Sequence, residues 1–317
     1  MNVQRLYRRF AALTAAAVLA LSGCGAPDIT EPSAPSQSEY EKYTEASARE
    51  QNSFRAFTNE LFCEEVSADQ ITLHYSLADP AARGITGADS AYGEASSEAL
   101  RRDMEDTELV HRELTQFDRS LLSESQQLTY DILNSYLNTA LTGKGLELYS
   151  RPLAPTIGVQ AQLPILLAEY PFYTEKDVED YLSILSQIDV YYGELEEFER
   201  EKAAAGLYYS DGTIDRLIES CVSYLIVPQE NFLTETFAEK LDGLTGVSQE
   251  EKAAWKRRHT ELIAEHFVPA YQSLIETLTS LKGTGTNEIG MCGFPQGKEY
   301  YEYLVRMSTG TSYASVD

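Results

Sequence analysis

TEKDVEDYLSILSQIDVYYGELEEF, residues 174–198, is the stretch whose reading decides the fold. Thr174-Glu-Lys-Asp177 has the shape of a capping box, in which a threonine side chain and an acidic side chain three residues on satisfy each other's backbone donors. Apolar residues then fall at Val178, Tyr181, Leu182, Leu185, Ile188, Tyr192, Leu195 and Phe198. Steps of three and four bring them to one face, so the segment is expected to be one helix with one buried stripe. The same opening recurs at Ser123-Glu-Ser-Gln126 and Ser248-Gln-Glu-Glu251.

Working outward, a second helix is expected over Thr213–Ile226, with Ile214, Leu217, Ile218, Cys221 and Leu225 inward and a stop before Pro228. A long helix follows Ser248 and carries Trp255, Leu262, Ile263, Phe267, Leu274 and Leu278. Pro269 should kink it, because proline cannot donate to the carbonyl four residues back. Two stretches depart from helix. Asp69–Pro80 alternates like an extended segment, and Tyr149–Pro164 holds three prolines and reads as an ordered loop lying on the core. Neither repeats nor heptads are present. The expected fold is mainly α: a multi-helix antiparallel bundle with ordered proline-containing loops and few or no strands, over residues 38–317.

The N-terminus fixes an expected location. Arg5, Arg8 and Arg9 precede an apolar run from Phe10 to Leu21, and small residues lead to Cys24. That order is a secretory signal, and Leu21-Ser22-Gly23-Cys24 resembles a bacterial lipoprotein box. The resemblance implies that residues 1–23 are removed and Cys24 is lipidated, which places the protein on the extracytoplasmic face of the cell membrane. A spanning helix needs about 20 apolar residues, more than this run offers. Residues 24–37, with three prolines among small and polar side chains, read as a disordered tether.

The full chain of 317 residues has 25 basic and 50 acidic side chains, and three of the basic ones lie in residues 1–23. Such an excess argues against nucleic acid, whose binding needs clustered lysine and arginine. It also repels anionic lipid, so the expected membrane partner is reached through the acyl chains alone. Besides Cys24 there are Cys63, Cys221 and Cys292, an odd number without C-x-x-C spacing. Neither a disulfide framework nor a thiolate zinc site is suggested, although one pairing among the three stays open. Cys221, in an apolar setting, reads as a small buried hydrophobe.

A family resemblance rests on several segments. Leu153-Ala-Pro-Thr-Ile-Gly-Val-Gln-Ala-Gln-Leu-Pro-Ile-Leu-Leu-Ala-Glu-Tyr-Pro-Phe172 is similar to a signature of the bacterial domain-of-unknown-function 885 family. So are Phe62–Ile85 with Leu73-His74-Tyr75 and Asp79-Pro80, Glu175-Lys-Asp-Val-Glu-Asp-Tyr-Leu182, Lys202-Ala-Ala-Ala-Gly-Leu207 and Gly293-Phe-Pro-Gln-Gly-Lys-Glu-Tyr-Tyr301. The resemblance implies a relation to helical zinc metallopeptidases. Their metal motif is a His-Glu pair followed by Pro-Gly-His and a further glutamate, holding Zn²⁺ with one position open for water. Here the four histidines are followed by Tyr75, Arg112, Thr260 and Phe267, so no His-Glu pair occurs. The family's zinc motif lies beyond the Gly-Phe-Pro-Gln-Gly segment, and the sequence ends at Asp317. The chain is therefore expected to be the N-terminal part of a longer protein, with no catalytic residue, no metal ligand and no cofactor of its own. Zinc is expected only in a full-length family member.

Other candidates are weaker. His259 and His266, seven apart, share a helix face but stand about 10 Å apart along it. That is too far to grip one ion together, so they are expected to be partly buried and hydrogen-bonded. Glu169, between Ala168 and Tyr170, could be a buried carboxylate with a raised pKa, or could pair or cap a neighbouring helix. His74, Glu169 and Tyr170 are the candidates for a substrate groove or for buried polar positions. No G-x-S-x-G, activated cysteine or glycine-rich phosphate loop is present. The chain has 21 tyrosines, and they could line a peptide groove or straddle the core boundary; helical spacing favours the boundary. The leading expectation is a lipid-anchored, catalytically inactive relative of a zinc peptidase, and the alternative is a surface lipoprotein that binds peptides without chemistry.

Overall fold

A computed structural model describes residues 37–311. The signal segment, Cys24, most of the tether and the last six residues lie outside them. In chain order the helices are α1 (Gln37–Ser67), α2 (Gln70–Ser76), α3 (Ser97–Leu114), α4 (Glu124–Leu141), α5 (Val159–Glu169) and α6 (Glu175–Leu185). Then come α7 (Ile188–Ala204), α8 (Asp211–Val222), α9 (Phe232–Gly243), α10 (Gln249–Leu262), α11 (Val268–Ser280) and α12 (Gly297–Thr309). The protein is all-α, and among the described residues there is no strand. All three capping boxes form, at Ser123 with Gln126, Thr174 with Asp177 and Ser248 with Glu251.

The stripe of residues 174–198 is buried as expected, with Val178, Tyr181, Leu185, Ile188, Tyr192, Leu195 and Phe198 at most 1% exposed. Each such side chain contributes about 1.5–3 kcal/mol relative to leaving it in water. The single helix, however, is two. Gln187 N–H reaches back three residues to the Ile184 carbonyl, and the Tyr92 hydroxyl donates to the same oxygen at 2.7 Å. Ser186 and Gln187 side chains also donate to the Ser183 carbonyl. These local bonds tighten one turn between α6 and α7, while the three-four spacing carries the buried face across it.

Two further departures lie at prolines. The loop expected over 149–164 ends at Gly158, and α5 runs through Pro164. Pro164 leaves the Gln160 carbonyl without its helical donor, and the Tyr271 hydroxyl supplies one at 2.7 Å. The long helix continues through Pro269, and the turn just before it, Ile263–Phe267, between α10 and α11, is π-helical. Within the segment expected to be extended, 69–80, residues 70–76 instead form α2, because Asp69 caps it, its carboxylate accepting from Thr72 N–H at 2.8 Å, while Leu77 is extended. The helix expected over 213–226 is α8, one turn shorter at its C-terminal end and starting earlier, with Ile214, Leu217 and Cys221 buried.

Neighbouring helices are antiparallel where α9 meets α10, with Asp242 against Lys256 and Phe237 against His259. The same holds for α8 and α11, with Asp215 paired to Lys282 and Tyr224 against Tyr271. The central pair runs the other way. Asp189, Tyr192 and Glu196 of α7 meet His266, Tyr271 and Thr277 in ascending order, so α7 and α11 are parallel. They anchor the main core, and a smaller core of Phe54, Val110, Leu114, Leu122 and Leu137 joins α1, α3 and α4.

Candidate binding site

The C-terminal end of α7 carries ions into the core. Glu199 and Lys202 are 0% and 1% exposed, and the Lys202 ammonium lies 3.2 Å from Glu199 Oε1. It also donates to the Tyr209 hydroxyl at 3.0 Å, and that hydroxyl donates onward to the Leu153 carbonyl at 2.9 Å. Burial pushes the Glu199 carboxyl up and the Lys202 ammonium down, and each ion draws the other back. The Lys202 ammonium also sits 4.4 Å from the centre of the Tyr209 ring.

Local sequence builds this geometry. Lys202-Ala-Ala-Ala-Gly-Leu207 is a Schellman stop: Leu207 N–H bonds the Lys202 carbonyl and Gly206 N–H bonds that of Ala203. Gly206 sits at φ +72, where a side chain would be strained. The chain then passes through Tyr208 and Tyr209 to Ser210, the residue before α8. Gly285 of a later loop lies against it so closely that a Cβ there would stand 1.8 Å from the Tyr209 carbonyl oxygen. Three of the segments that carry the family resemblance converge here: Leu153, Lys202–Leu207 and Phe294 beside Tyr149.

Beside this centre opens a cavity of about 340 Å³, lined by Arg151, Tyr208, Tyr209, Arg216, Asn287 and Phe294 together with the first turn of α8. The Arg151 guanidinium lies 5.4 Å from the centre of the Tyr209 ring. A larger, polar cavity of about 490 Å³ lies between Tyr92, Tyr191 and Glu194, on the side of α7 that faces the Ser90–Glu94 segment.

The residues singled out from sequence lie elsewhere, at the junction of α2, α5 and α6. His74 and Tyr170 stack with centroids 3.7 Å apart and planes at 9°. The Asp177 carboxylate, already accepting from Thr174 N–H at 2.7 Å, faces His74 Nδ1 at 3.4 Å. Burial lowers the His74 pKa against the pull of Asp177. Glu169, in contrast, is exposed at the end of α5, so the buried-carboxylate reading does not hold. His74 and Tyr170 are thus brought together within a packed aromatic cluster, with Tyr75 edge-on to both rings.

The side chains of the described residues do not fit a zinc ion. Among the described residues no three His, Cys, Asp or Glu groups converge. His111 bonds Asn134 at 3.0 Å, and His266 faces Asp189 at 3.1 Å. His259 is fully buried, stacked on Phe237 and within 3.3 Å of the Tyr181 hydroxyl. Cys63, Cys221 and Cys292 are free thiols, Cys221 fully buried as expected.

The chain belongs to the bacterial family of unknown function DUF885, whose model matches residues 80–315. The fold is similar to that of a candidate lipoprotein from Colwellia psychrerythraea, with a TM-score of 0.63 and 16% identity. The similarity covers 87% of this chain and 46% of that one, so this chain spans about half the length of that solved protein. No curated protein matches the chain. Among the described residues no helix is long and apolar enough to cross a membrane.

Sequence reasoning missed Arg151, Glu199, Arg216 and the role of Lys202. One signal could have found the pair: steps of three and four from Tyr192 and Leu195 continue onto Glu199 and Lys202, which places opposite charges on core positions.

Proposed function

We propose that this chain is a lipid-anchored, extracytoplasmic peptide-binding member of the DUF885 family that does not itself hydrolyse peptides. The observation that carries the reading is the Arg151–Tyr208–Tyr209–Arg216 cleft, backed by the buried Lys202–Glu199 pair. Tyrosines offer flat contact area with a hydroxyl handle, and guanidinia offer planar donors. In a chain with formal net charge −25, a cleft lined by arginines is a local reversal that suits an electronegative ligand. The Colwellia protein's description as a candidate lipoprotein agrees with Cys24 as the attachment point. The resemblance to zinc peptidases supports peptides as the ligand class.

Cells expressing the full chain are fractionated, and the detergent-extracted protein is weighed intact and titrated with a peptide panel. The expected results are acyl chains on Cys24, release to the soluble fraction by Cys24→Ser, and saturable peptide binding indifferent to chelator. Zinc-dependent cleavage of the panel by this chain would overturn the reading, as would the absence of any peptide binding.

A further inference from the structure

We infer that the 340 Å³ cavity at the start of α8 seats a carboxylate, the C-terminal end of the bound peptide, between Arg151 and Arg216. This deepens the proposed function and rests on it. Three features of the cavity point to an oxyanion. Its lining carries two guanidinia, whose paired donors match a carboxylate's two oxygens. It opens on the first turn of α8, a twelve-residue helix whose preceding residue, Ser210, makes no side-chain capping bond. The Ser210 hydroxyl meets the Thr213 hydroxyl instead, at 3.3 Å, and the Thr213 N–H bonds the Ser210 carbonyl, so the N–H groups of Asp211 and Gly212 are left for a ligand. Finally, Tyr208 lines the cavity while being 1% exposed, and its buried hydroxyl has no hydrogen-bond partner. A buried hydroxyl without a partner costs free energy, and an entering oxygen would relieve it.

The same chemistry could serve phosphate, but the rest of the cavity favours a carboxylate carried on a peptide. Glu288 stands at the exposed rim and opposes a dianion more than a monoanion. Phe294 and the Tyr209 ring supply an aromatic wall beside the two arginines, where a terminal side chain would lie. The Asp211 carboxylate, the nearest acid in the α8 sequence, is turned away and accepts from Gly283 N–H at 2.8 Å.

The test titrates the detergent-extracted full chain with N-acetyl-dialanyl-phenylalanine as the free acid, with the same peptide as its C-terminal amide, and with inorganic phosphate. Loss of a charge-assisted bidentate bond predicts that the free acid binds about tenfold or more tighter than the amide. Arg151→Gln with Arg216→Gln should abolish that preference, while the Arg→Lys pair should retain part of it. Tyr208→Phe should weaken the free acid several-fold and leave the amide unchanged, with melting temperatures confirming that each variant folds. Equal binding of acid and amide would overturn the carboxylate seat while leaving the peptide-binding reading intact. Binding of phosphate with neither peptide form would overturn both the peptide reading and the peptide carboxylate. Failure of all three probes to bind would likewise overturn both.

Discussion

Tyr271 donates its hydroxyl hydrogen to the carbonyl of Gln160, 2.7 Å away, and receives one from the Tyr192 hydroxyl at 2.8 Å. The relay crosses three helices and ends at the oxygen that Pro164 leaves without an intrahelical donor. A proline inside α5 is thereby made tolerable by a tyrosine more than a hundred residues later in the chain.

Tyr271→Phe should cost about 1–3 kcal/mol, since it strands a buried carbonyl and a buried hydroxyl together. Pro164→Ala restores an N–H four residues after Gln160, so Tyr271→Phe should cost less on that background. Urea midpoints of the four proteins in the cycle check the coupling. Additive costs would mean that the Gln160 carbonyl is not what Tyr271 serves.

Breaking the ion pair at the end of α7 should be costly in either direction. Lys202→Met alone, or Glu199→Gln alone, leaves the partner buried without compensation, at about 3–5 kcal/mol. Replacing both by Met and Leu should recover most of that loss, because two desolvated charges disappear at once. If the double variant is as unstable as the single ones, the pair is not the determinant.

Acid sensitivity should follow His259. Burial, with the Lys240 ammonium nearby, pulls its pKa from 6.5 to about 3. The unfolded chain takes up this proton near pH 6.5 and the folded one only near pH 3, so protons favour unfolding in between. The contribution is complete above pH 6.5 and falls by about 1.4 kcal/mol per unit as the pH drops through that window. His259→Phe, with a ring between Tyr181 and Phe237, should show a shallower loss of stability from pH 6.5 to 4. An unchanged slope would assign the acid sensitivity to other groups.

Gly285→Ala should disturb the cleft. Its Cβ would meet the Tyr209 carbonyl oxygen at 1.8 Å, so the loop must withdraw from Tyr208 and Tyr209. Peptide affinity should fall by about tenfold or more, the equivalent of one lost charge-assisted bond. The melting temperature should fall as well, because Tyr208 and Tyr209 belong to the main core. Unaltered affinity would separate this loop from the binding surface.

The helical class, the three capping boxes and the buried stripe were legible because spacing and caps are local signals. The breaks were not, because their causes lie at a distance. The turn between α6 and α7 is stabilised by Tyr92, and α5 extends through Pro164 because Tyr271 comes to meet it. Short α2 was missed because alternation over a few residues competes with a single cap, Asp69. At the candidate site, Lys202-Ala-Ala-Ala-Gly-Leu207 was visible only as a family segment, and its meaning as a helix stop needed the hydrogen bonds around Gly206. Arg151 and Arg216 come from separate parts of the chain, and no periodicity links them. His74 and Tyr170 did meet, but in a stacked, packed pair rather than a cleft.

The parallel run of α7 against α11 has a kinetic consequence. Two parallel helices cannot be joined by a short hairpin, so everything from Ala205 to Phe267 must loop out before their faces can touch. The entropy of closing that loop is lost before the Tyr192–Tyr271 contact gives anything back. Antiparallel neighbours such as α9 and α10 need only a few intervening residues, so they are free to zip early. The centre of the molecule is therefore the part that waits, and during synthesis the stripe on α7 stays uncovered until the chain has emerged through α11.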